Sequence, residues 1–353
     1  MKGVRRTVGE TGEFNLIDRI RKILPVSRNR ELRVDIGDDT AVVALDRRRA
    51  LLLTCDIQVE GRHFLFDRTT PYRVGRKSMA VNLSDIASMG GKPTYALVSL
   101  GLPADLPVES FERLFEGMRD EMRAYGAYVI GGNLARTREE LVVDVTLLGE
   151  AELSKVLTRD GARPGDRIFV TGTLGASAAG MEALRIYGKK VPGKYRELAD
   201  RHVLPVPRVG MGQKIARSGV ASAMIDLSDG VAGDLYHICE RSGVGAEIRE
   251  ELLPLPERIA EIAEKSGRSV LDLALHNGED YELLFTVPPG APERKIRALP
   301  GNTGIPVTEI GRIVDRREGY CRVDAAGRKT ALKPSGWDHF REEPGGGKRR
   351  KGK

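Results

Sequence analysis

The stretch RVGRKSMAVNLSDIASM at residues 73–89 has the apolar spacing of a helix that a Gly-Gly pair and a proline then close. Its apolar positions are Val74, Met79, Val81, Leu83, Ile86 and Met89. Asp85 interrupts the apolar face, and Asn82 and Ser84 are polar residues in the same run. Since an unpaired polar group is costly to bury, the pattern predicts that Asp85 is drawn inward towards a charged group. The plainer alternative is that Asp85 faces solvent.

The segments around this helix predict an α+β unit over residues 1–150, because strand-like and helix-like patterns are mixed there. The expected elements are, in chain order, a helix at 15–24, a hairpin of strands at 41–45 and 50–57, the helix at 73–89, a strand at 95–100, an amphipathic helix at 111–126, and strands at 127–130 and 141–150 with a turn at Gly131-Gly132-Asn133.

A charged connector, LTRDGARPGD at residues 157–166, precedes a second mixed unit, and its Gly and Pro content marks a domain boundary. We therefore predict domains at 1–150 and 151–340, followed by a disordered basic tail at 341–353. Neither half alternates strictly between strand and helix, which disfavours a doubly wound Rossmann sheet. The predicted fold class is a two-domain α+β protein.

The net charge of +7 raises the question of nucleic-acid binding, but much of that charge lies in the tail. Residues 341–353 carry a net +4 and leave the other 340 residues near neutral, so a nucleic-acid contact is the minor hypothesis. The three cysteines are far apart and predict neither a disulfide framework nor a zinc site, which fits a cytoplasmic location. The absence of a long apolar run predicts neither secretion nor a membrane span.

Acidic and glycine-rich segments recur along both halves of the chain. They are Asp35–Asp39 (DIGDD), Thr54-Cys55-Asp56 with His63 downstream, Asn82–Asp85 (NLSD), Gly131-Gly132-Asn133, Asp226–Asp234 (DLSDGVAGD) and Gly278–Glu282 (GEDYE). Taken singly, each also fits a plain turn, and Ser228 or Asp229 fits a helix N-cap. Taken together, so many oxygen ligands without a His or Cys cluster suit Mg²⁺, and grouped Mg²⁺ suits a polyphosphate.

Two nucleotide-binding motifs are not matched. The chain has no GxxxxGK[ST] sequence, which excludes a Walker-A enzyme. Gly172-Thr-Leu-Gly175 follows a predicted strand but does not complete GxGxxG, so it predicts the start of a helix.

Ten motifs in order carry a family resemblance: GEFNLI, IGDD, TCDIQVEGRHF, NLSDIASMG, GGN, LTRDGARPGD, VTGTLGASAAG, DLSDGVAGDLYHI, GEDYELLF and GWDHF. In this order the chain resembles the thiamine-monophosphate kinase family from about residue 9 to residue 340. That family belongs to the aminoimidazole ribonucleotide synthetase-like ATP-binding proteins. The resemblance implies a two-domain homodimer whose N-terminal domain contributes to a dimeric β-barrel-like core, with ATP near the dimer interface.

The resemblance also implies roles for individual residues. The Mg²⁺ ligands would be Asp39, Thr54, Cys55, Asp56, Asp85, Asn133, Asp226 and Asp229, with Asp39, Asp85 and Asp229 as the catalytic residues. The ATP contacts would include Gly132, Asn133, Arg159 and Ser228. Thiamine monophosphate would meet His63, Glu279 or Asp280, and Trp337, the single tryptophan of the chain.

Two positions depart from the family pattern. Asn133 stands where Gly-Gly-Asp is usual, which keeps an oxygen ligand but removes one negative charge and predicts weaker affinity for one metal ion. Cys55 stands where threonine is usual. The cysteine is harmless if its backbone carbonyl is the ligand.

The implied reaction transfers the γ-phosphoryl group of ATP to the phosphate of thiamine monophosphate. A phosphate monoester has a second pKa of about 6, so the attacking oxygen needs no general base at neutral pH. One alternative is a relative with another substrate, such as a carbonyl-activating ligase; His63, the GEDYE segment and Trp337 favour the thiamine substrate. A second alternative, motivated by Asn133, is a catalytically weak nucleotide-binding homologue that acts through the basic tail.

Overall fold

The computed structural model describes residues 7–8, 13–24 and 30–333. Its helices of five residues or more are α1 Glu13–Ile23, α2 Pro71–Ser88, α3 Val108–Ala124, α4 Ala176–Tyr187, α5 Arg196–Val203, α6 Val209–Ser218, α7 Val231–Ser242, α8 Ile259–Ser266, α9 Val270–Leu275 and α10 Glu293–Arg297. Its strands are β1 Leu32–Val34, β2 Ala41–Ala44, β3 Arg49–Val59, β4 Lys92–Leu102, β5 Tyr128–Arg136, β6 Val142–Glu152, β7 Arg167–Thr171, β8 Ala223–Asp226, β9 Gly245–Arg249, β10 Leu283–Val287, β11 Val307–Val314, β12 Tyr320–Val323 and β13 Lys329–Ala331.

The described strands form two sheets, one from each half of the chain. The first sheet has the order β1-β2-β3-β6-β4-β5, and all of these strands pair antiparallel except β4 with β5. The second has the order β13-β12-β9-β11-β7-β10-β8, and all of these strands pair antiparallel except β12 with β9. Mostly antiparallel pairing confirms the α+β class and disagrees with a Rossmann sheet. The predicted boundary at 150 lies within the last residues of β6.

The helix predicted from residues 73–89 is α2, and it packs against elements of both halves of the chain. Thr70 caps its N-terminus by accepting a hydrogen bond from the Arg73 amide, and Pro71 occupies the first turn. α2 contacts β3 and β6 of the first sheet and β8 and α6 of the second half. Helix α2 therefore has almost no solvent face, which explains why its polar residues Asn82 and Ser84 are fully buried.

Two glycines allow α2 to approach α3 closely. A Cβ atom on Gly75 would overlap the carbonyl oxygen of Leu114, and one on Gly117 would overlap the carbonyl oxygen of Tyr72. The contact is therefore backbone against backbone, and no side chain larger than hydrogen fits at either position. Beside the crossing, Arg76 donates from Nε to Glu121 Oε2 at 2.6 Å and joins the two helices by a partly buried ion pair.

Most of the predicted elements are confirmed, but the Gly131-Gly132-Asn133 turn is wrong. These residues continue strand β5, which runs from Tyr128 to Arg136 and pairs with β4. Gly132 lies so close to Val98 of β4 that a Cβ would overlap the Val98 carbonyl oxygen. The glycine pair thus reflects close strand pairing, which a sequence pattern does not distinguish from a turn. The predicted tail at 341–353 and Trp337 lie outside the described residues.

The helix crossing generates a stability prediction. Gly117→Ala is expected to lower the free energy of unfolding by about 2 kcal/mol, because the added methyl group forces the two helices apart. Gly210→Ala is the matched control, since Gly210 lies in helix α6 and a Cβ atom added there would meet nothing within 4 Å. The control should be neutral or slightly stabilising. Urea unfolding followed by circular dichroism measures both, and equal stability of the two variants would contradict the close helix contact.

Candidate active site

Three carboxylates from distant parts of the sequence meet at one point. Asp39 lies in the turn between β1 and β2, Asp85 lies in α2, and Asp226 is the last residue of β8. One oxygen of each lies within 4.8 Å of the others. The central position of α2 between the two sheets brings the three together, and it confirms that Asp85 points inward.

Neighbouring side chains orient these carboxylates. Ser84 Oγ donates to Asp226 Oδ2 at 2.6 Å, and Thr54 Oγ1 donates to Asp85 Oδ2. Arg159 donates from Nε to Asp39 Oδ1 at 3.0 Å and so places one positive charge beside the carboxylates. The family resemblance implies that Thr54, Asp85 and Asp226 bind Mg²⁺ and that Arg159 contacts ATP, and the structure brings all four residues to one place.

The cluster is electrostatically strained. Burial and then repulsion from other carboxylates raise the pKa of Asp85 well above its usual value, and burial and then Asp39 do the same for Asp226. For the same two reasons the pKa of Asp56 rises to about 6 and that of Asp38 to about 7. A divalent cation would relieve this repulsion.

The donor set fits a hard metal ion. Asp39 Oδ2 is buried and has no hydrogen-bond partner among the described atoms, although a buried carboxylate oxygen ordinarily has one. The other nearby groups are carboxylate and hydroxyl oxygens, which Mg²⁺ prefers. Asp39, Asp85 and Asp226 are thus the residues best placed to hold Mg²⁺.

Cys55 and Asp56 lie on opposite faces of β3. Because side chains alternate along a strand, Thr54 and Asp56 share the face that looks towards the cluster. The Cys55 thiol lies on the other face and donates to Asp144 Oδ1 at 3.2 Å. The thiol is therefore turned away from Thr54 and Asp56, and it is not placed to bind the same metal ion as their side chains.

Ser228 and Asp229 line the same cavity at the start of α7. The alternative that one of them caps this helix is wrong, because the cap position is Gly230. Asp234 reaches back from the first turn, and its Oδ2 accepts from the amides of Asp229 and Gly230 at 3.1 and 3.0 Å. Sequence reasoning placed Asp234 in the motif but did not assign it this role.

The acidic cluster forms one end of a cavity of about 720 Å³. α2 runs along it and contributes Val74, Lys77, Val81 and Asp85 from one face. Around Lys77, two turns before Asp85 on α2, lie His63, His202 and Glu279, and Arg62, Arg68 and Thr69 line the cavity as well. The cavity therefore has an acidic end and an end where cationic and neutral groups surround a single carboxylate.

The structure separates the roles of Glu279 and Asp280, which the sequence left as alternatives. Asp280 Oδ2 and Oδ1 accept from the amides of Gly175 and Ser177 at 2.6 and 2.9 Å, so this carboxylate caps helix α4. Burial raises its pKa to about 7 against the effect of those two hydrogen bonds. Glu279 instead lines the cavity beside Lys77 and His202.

Sequence reasoning missed Lys77 and His202. The signal for Lys77 was a lysine inside a largely apolar helical pattern, eight residues before Asp85 and hence near the same helix face. His202 belongs to a short helix in the second half of the chain and carried no motif. Its place in the cavity follows only from the packing of α5.

Gly132 and Asn133 are not among the described residues that line this cavity. Both lie on β5, the edge strand of the first sheet, where they are exposed. Gly132 and Asn133 are expected to contact ATP, but within a single chain they do not reach the acidic cluster. The described part of the chain contains no helix with the length and hydropathy needed to span a bilayer.

Comparisons with known proteins place the chain in a family. Residues 37–151 match the N-terminal domain, and residues 163–324 the C-terminal domain, of AIR synthase related protein. Thiamine-monophosphate kinase of Aquifex aeolicus is 42% identical over 331 residues, covering 94% of this chain and 99% of the relative. The enzyme of that name from Escherichia coli strain K12 is 38% identical over 337 residues, covering 93% of this chain and 98% of the relative.

A solved structure described as AaThiL complexed with AMPPCP and TMP superimposes on this chain with a TM-score of 0.82 at 39% identity. The superposition covers 96% of this chain and 100% of that one. Identity at this level over nearly the full length of both chains confirms the resemblance of the ordered motifs. The chain belongs to the thiamine-monophosphate kinase family of AIR synthase related proteins.

Proposed function

We propose that this chain transfers the γ-phosphoryl group of ATP to thiamine monophosphate, producing thiamine diphosphate and ADP. The observation that carries the proposal is the group Asp39, Asp85 and Asp226, which lines one cavity with Glu279 and His63. Relatives that are 42% and 38% identical over more than nine-tenths of both chains are named thiamine-monophosphate kinase. A structural neighbour was solved with AMPPCP and TMP. ATP and thiamine monophosphate are therefore the proposed substrates.

The acidic end of the cavity is the proposed site of phosphoryl transfer. Asp39, Asp85 and Asp226 would hold Mg²⁺, with Asp56 and Asp229, which line the same cavity, as further ligands. When bound, Mg²⁺ supplies positive charge that offsets repulsion between the two phosphates and stabilises the transferred group. Arg159 fixes the orientation of Asp39 and adds one positive charge to this end.

The site needs no strong base, because the acceptor phosphate is already mostly deprotonated at neutral pH. The work of these residues is to align the two phosphates and to exclude water. A cavity of about 720 Å³ with an apolar wall from α4 and α5, including Met181, Leu184 and Val203, has room for more than the phosphates. We infer that the non-phosphate half of the acceptor occupies the end near Glu279.

We further propose that the protein acts as a homodimer through the outer face of the first sheet. Tyr95, Leu97 and Ile57 on this face are 49%, 43% and 52% exposed, and Ile130 on β5 is 61% exposed. Exposed apolar side chains grouped on one sheet face favour a protein partner. Asn133 pairs with Ser99 of β4 on the same sheet, so a second copy seated here would cover the proposed ATP contacts of β5. The cytoplasmic location and the minor role of nucleic acid stay predictions.

The chemical step can be tested at Asp85. Asp85→Asn is expected to reduce thiamine diphosphate formation from ATP, Mg²⁺ and thiamine monophosphate on the order of 100-fold, because one metal ligand loses its charge. Asp105→Asn is the matched control, since Asp105 is exposed and lies outside the cavity lining. A coupled assay for ADP, with thiamine diphosphate quantified by chromatography, measures both. Near-normal turnover by Asp85→Asn would contradict the proposal that Asp85 binds a metal ion.

The departure at Asn133 gives a second test in the same assay. If the amide weakens one metal site, Asn133→Asp adds a carboxylate ligand there. The Mg²⁺ concentration that gives half-maximal turnover is then expected to fall roughly several-fold. A wild-type chain without turnover, together with turnover restored by Asn133→Asp, would support the catalytically weak homologue instead of an active kinase.

The proposed dimer can be tested by analytical ultracentrifugation. Leu97→Glu is expected to convert the dimer to a monomer, because a charge would be buried in the apolar interface. Val108→Glu is the control, since Val108 is 71% exposed at the start of α3, away from the sheet face. A wild-type chain that sediments as a monomer at micromolar concentration would rule the dimer out.

A further inference from the structure

Glu279 is held in an unusual backbone conformation at the end of the cavity remote from Asp85. Its φ of 69° lies in the left-handed region, and Tyr281 two residues later has a φ of 50°. The Glu279 amide donates to the Ser228 carbonyl oxygen at 2.8 Å, and the Tyr281 amide donates to the Leu227 carbonyl oxygen at 2.9 Å. Such conformations persist where the surroundings over-determine them, and they cluster at ligand sites.

A buried lysine takes one oxygen of this carboxylate. Lys77 Nζ lies 2.6 Å from Glu279 Oε1 and donates to the His63 carbonyl oxygen at 3.3 Å. The Lys77 side chain is 5% exposed. A lysine is rarely buried unless it is paired, and here the pair joins α2 to the segment that precedes β10.

A histidine lies beside the other oxygen. His202 Nδ1 is 3.3 Å from Glu279 Oε2 and 3.1 Å from Ser177 Oγ. Burial and then the neighbouring Lys77 lower the pKa of His202 to about 4, so its ring is neutral at physiological pH. The carboxylate beside it favours the tautomer with a proton on Nδ1, since a lone pair there would face an anion.

Glu279 retains acceptor capacity on the cavity side. A carboxylate offers about four lone-pair positions, and Lys77 and His202 each approach one oxygen of it. Its side chain is 26% exposed, and it lines the cavity. Although burial would raise it, the charge of Lys77 holds the pKa of Glu279 below its usual value. The group is thus an ionised, fixed hydrogen-bond acceptor that faces the ligand space.

Helix α2 sets the distance between the two ends of the cavity. Lys77 and Asp85 are eight residues apart on this helix, which corresponds to about 12 Å along its axis. A ligand whose phosphate lies beside the acidic cluster must be elongated to reach Glu279. Thiamine monophosphate has this form, since its aminopyrimidine ring lies at the opposite end from its phosphate and carries an exocyclic amino group.

We propose that Lys77 and His202 are positioning residues that hold Glu279 as the acceptor for an exocyclic amino group on the ring of the phosphate acceptor. This inference rests on the proposed function. It means that Lys77 and His202, through Glu279, help to select the molecule that accepts the phosphoryl group. Neither residue touches the transferred phosphoryl group. Their loss therefore acts on the binding of thiamine monophosphate and leaves the chemical step intact.

The charged and titratable groups that face Glu279 come from separate elements: Lys77 from α2, His202 from α5 and His63 from the segment after β3. Removing the Lys77 charge leaves burial as the largest influence on Glu279, so the pKa of its carboxyl rises and its protonated fraction increases. A protonated carboxyl donates where the amino group needs an acceptor. Raising the pH ionises it again and restores the acceptor.

The experiment compares Lys77→Met, Lys77→Arg and wild type across about pH 6 to about pH 9, with thiamine monophosphate as the varied ligand. Lys77→Met is expected to raise KM about tenfold at neutral pH with kcat little changed, and the KM increase should shrink as pH rises. Lys77→Arg should retain most of the wild-type affinity. Lys194→Met, which removes an exposed lysine paired with Glu261, is the control. Calorimetric binding of thiamine monophosphate without ATP gives the same comparison independently of turnover.

A double variant guards against misfolding of Lys77→Met. Lys77→Met with Glu279→Gln removes both charges of the buried pair, and it should bind no more weakly than Glu279→Gln alone, because Lys77 acts only through Glu279. Two outcomes overturn the inference: an unchanged affinity in Lys77→Met, or additive losses in the double variant. A wild-type chain that binds thiamine monophosphate but makes no thiamine diphosphate would count against the proposed function alone.

Discussion

The rest of the structure depends on the packing of α2 between the two halves of the chain. Gly75 and Gly117 let α2 and α3 meet backbone to backbone, and the remaining faces of α2 press against β3, β6 and β8. A helix enclosed in this way has its polar residues either paired or directed into a cavity. Ser84 follows the first course by donating to Asp226, and Asp85 follows the second. The helix thereby links an element of each sheet to one site.

Burying several carboxylates together works against folding and in favour of metal binding. Burial and mutual repulsion raise the pKa of Asp85 and Asp226, which means that the cluster by itself disfavours its own charge. A bound cation stabilises the charged carboxylates and removes the repulsion between them, and this relief adds to the binding free energy of the cation. The same α2 carries Lys77, whose charge has the opposite effect on Glu279. One helix therefore contributes a charged side chain to each end of the cavity.

Three segments of the chain have partners that the sequence interpretation did not identify. Gly131-Gly132-Asn133 has the composition of a turn, yet it pairs along β4, and close strand contact requires glycine as firmly as a turn does. Asp280 was one of two alternatives, with Glu279, for a contact to thiamine monophosphate, and its carboxylate accepts from Ser177, 103 residues away in the sequence. A cap at Ser228 or Asp229 was only the structural alternative to their ligand roles, and it is Asp234 that accepts from the amides at that terminus. In each case the residue type was informative and the partner was not local.

The sequence by itself determined the α+β class, most helices and strands, the family and the acidic residues from which the site is drawn. These follow from local periodicity and from ordered motifs, which are properties of neighbouring residues. Only the tertiary structure decided that Asp39, Asp85 and Asp226 converge, that Glu279 rather than Asp280 lines the cavity, and that Lys77 and His202 meet Glu279. The physical reason is that α2, β8 and α5 are far apart in the sequence. Contacts between their residues form only when the helices and sheets pack, so no local stretch of sequence contains both partners.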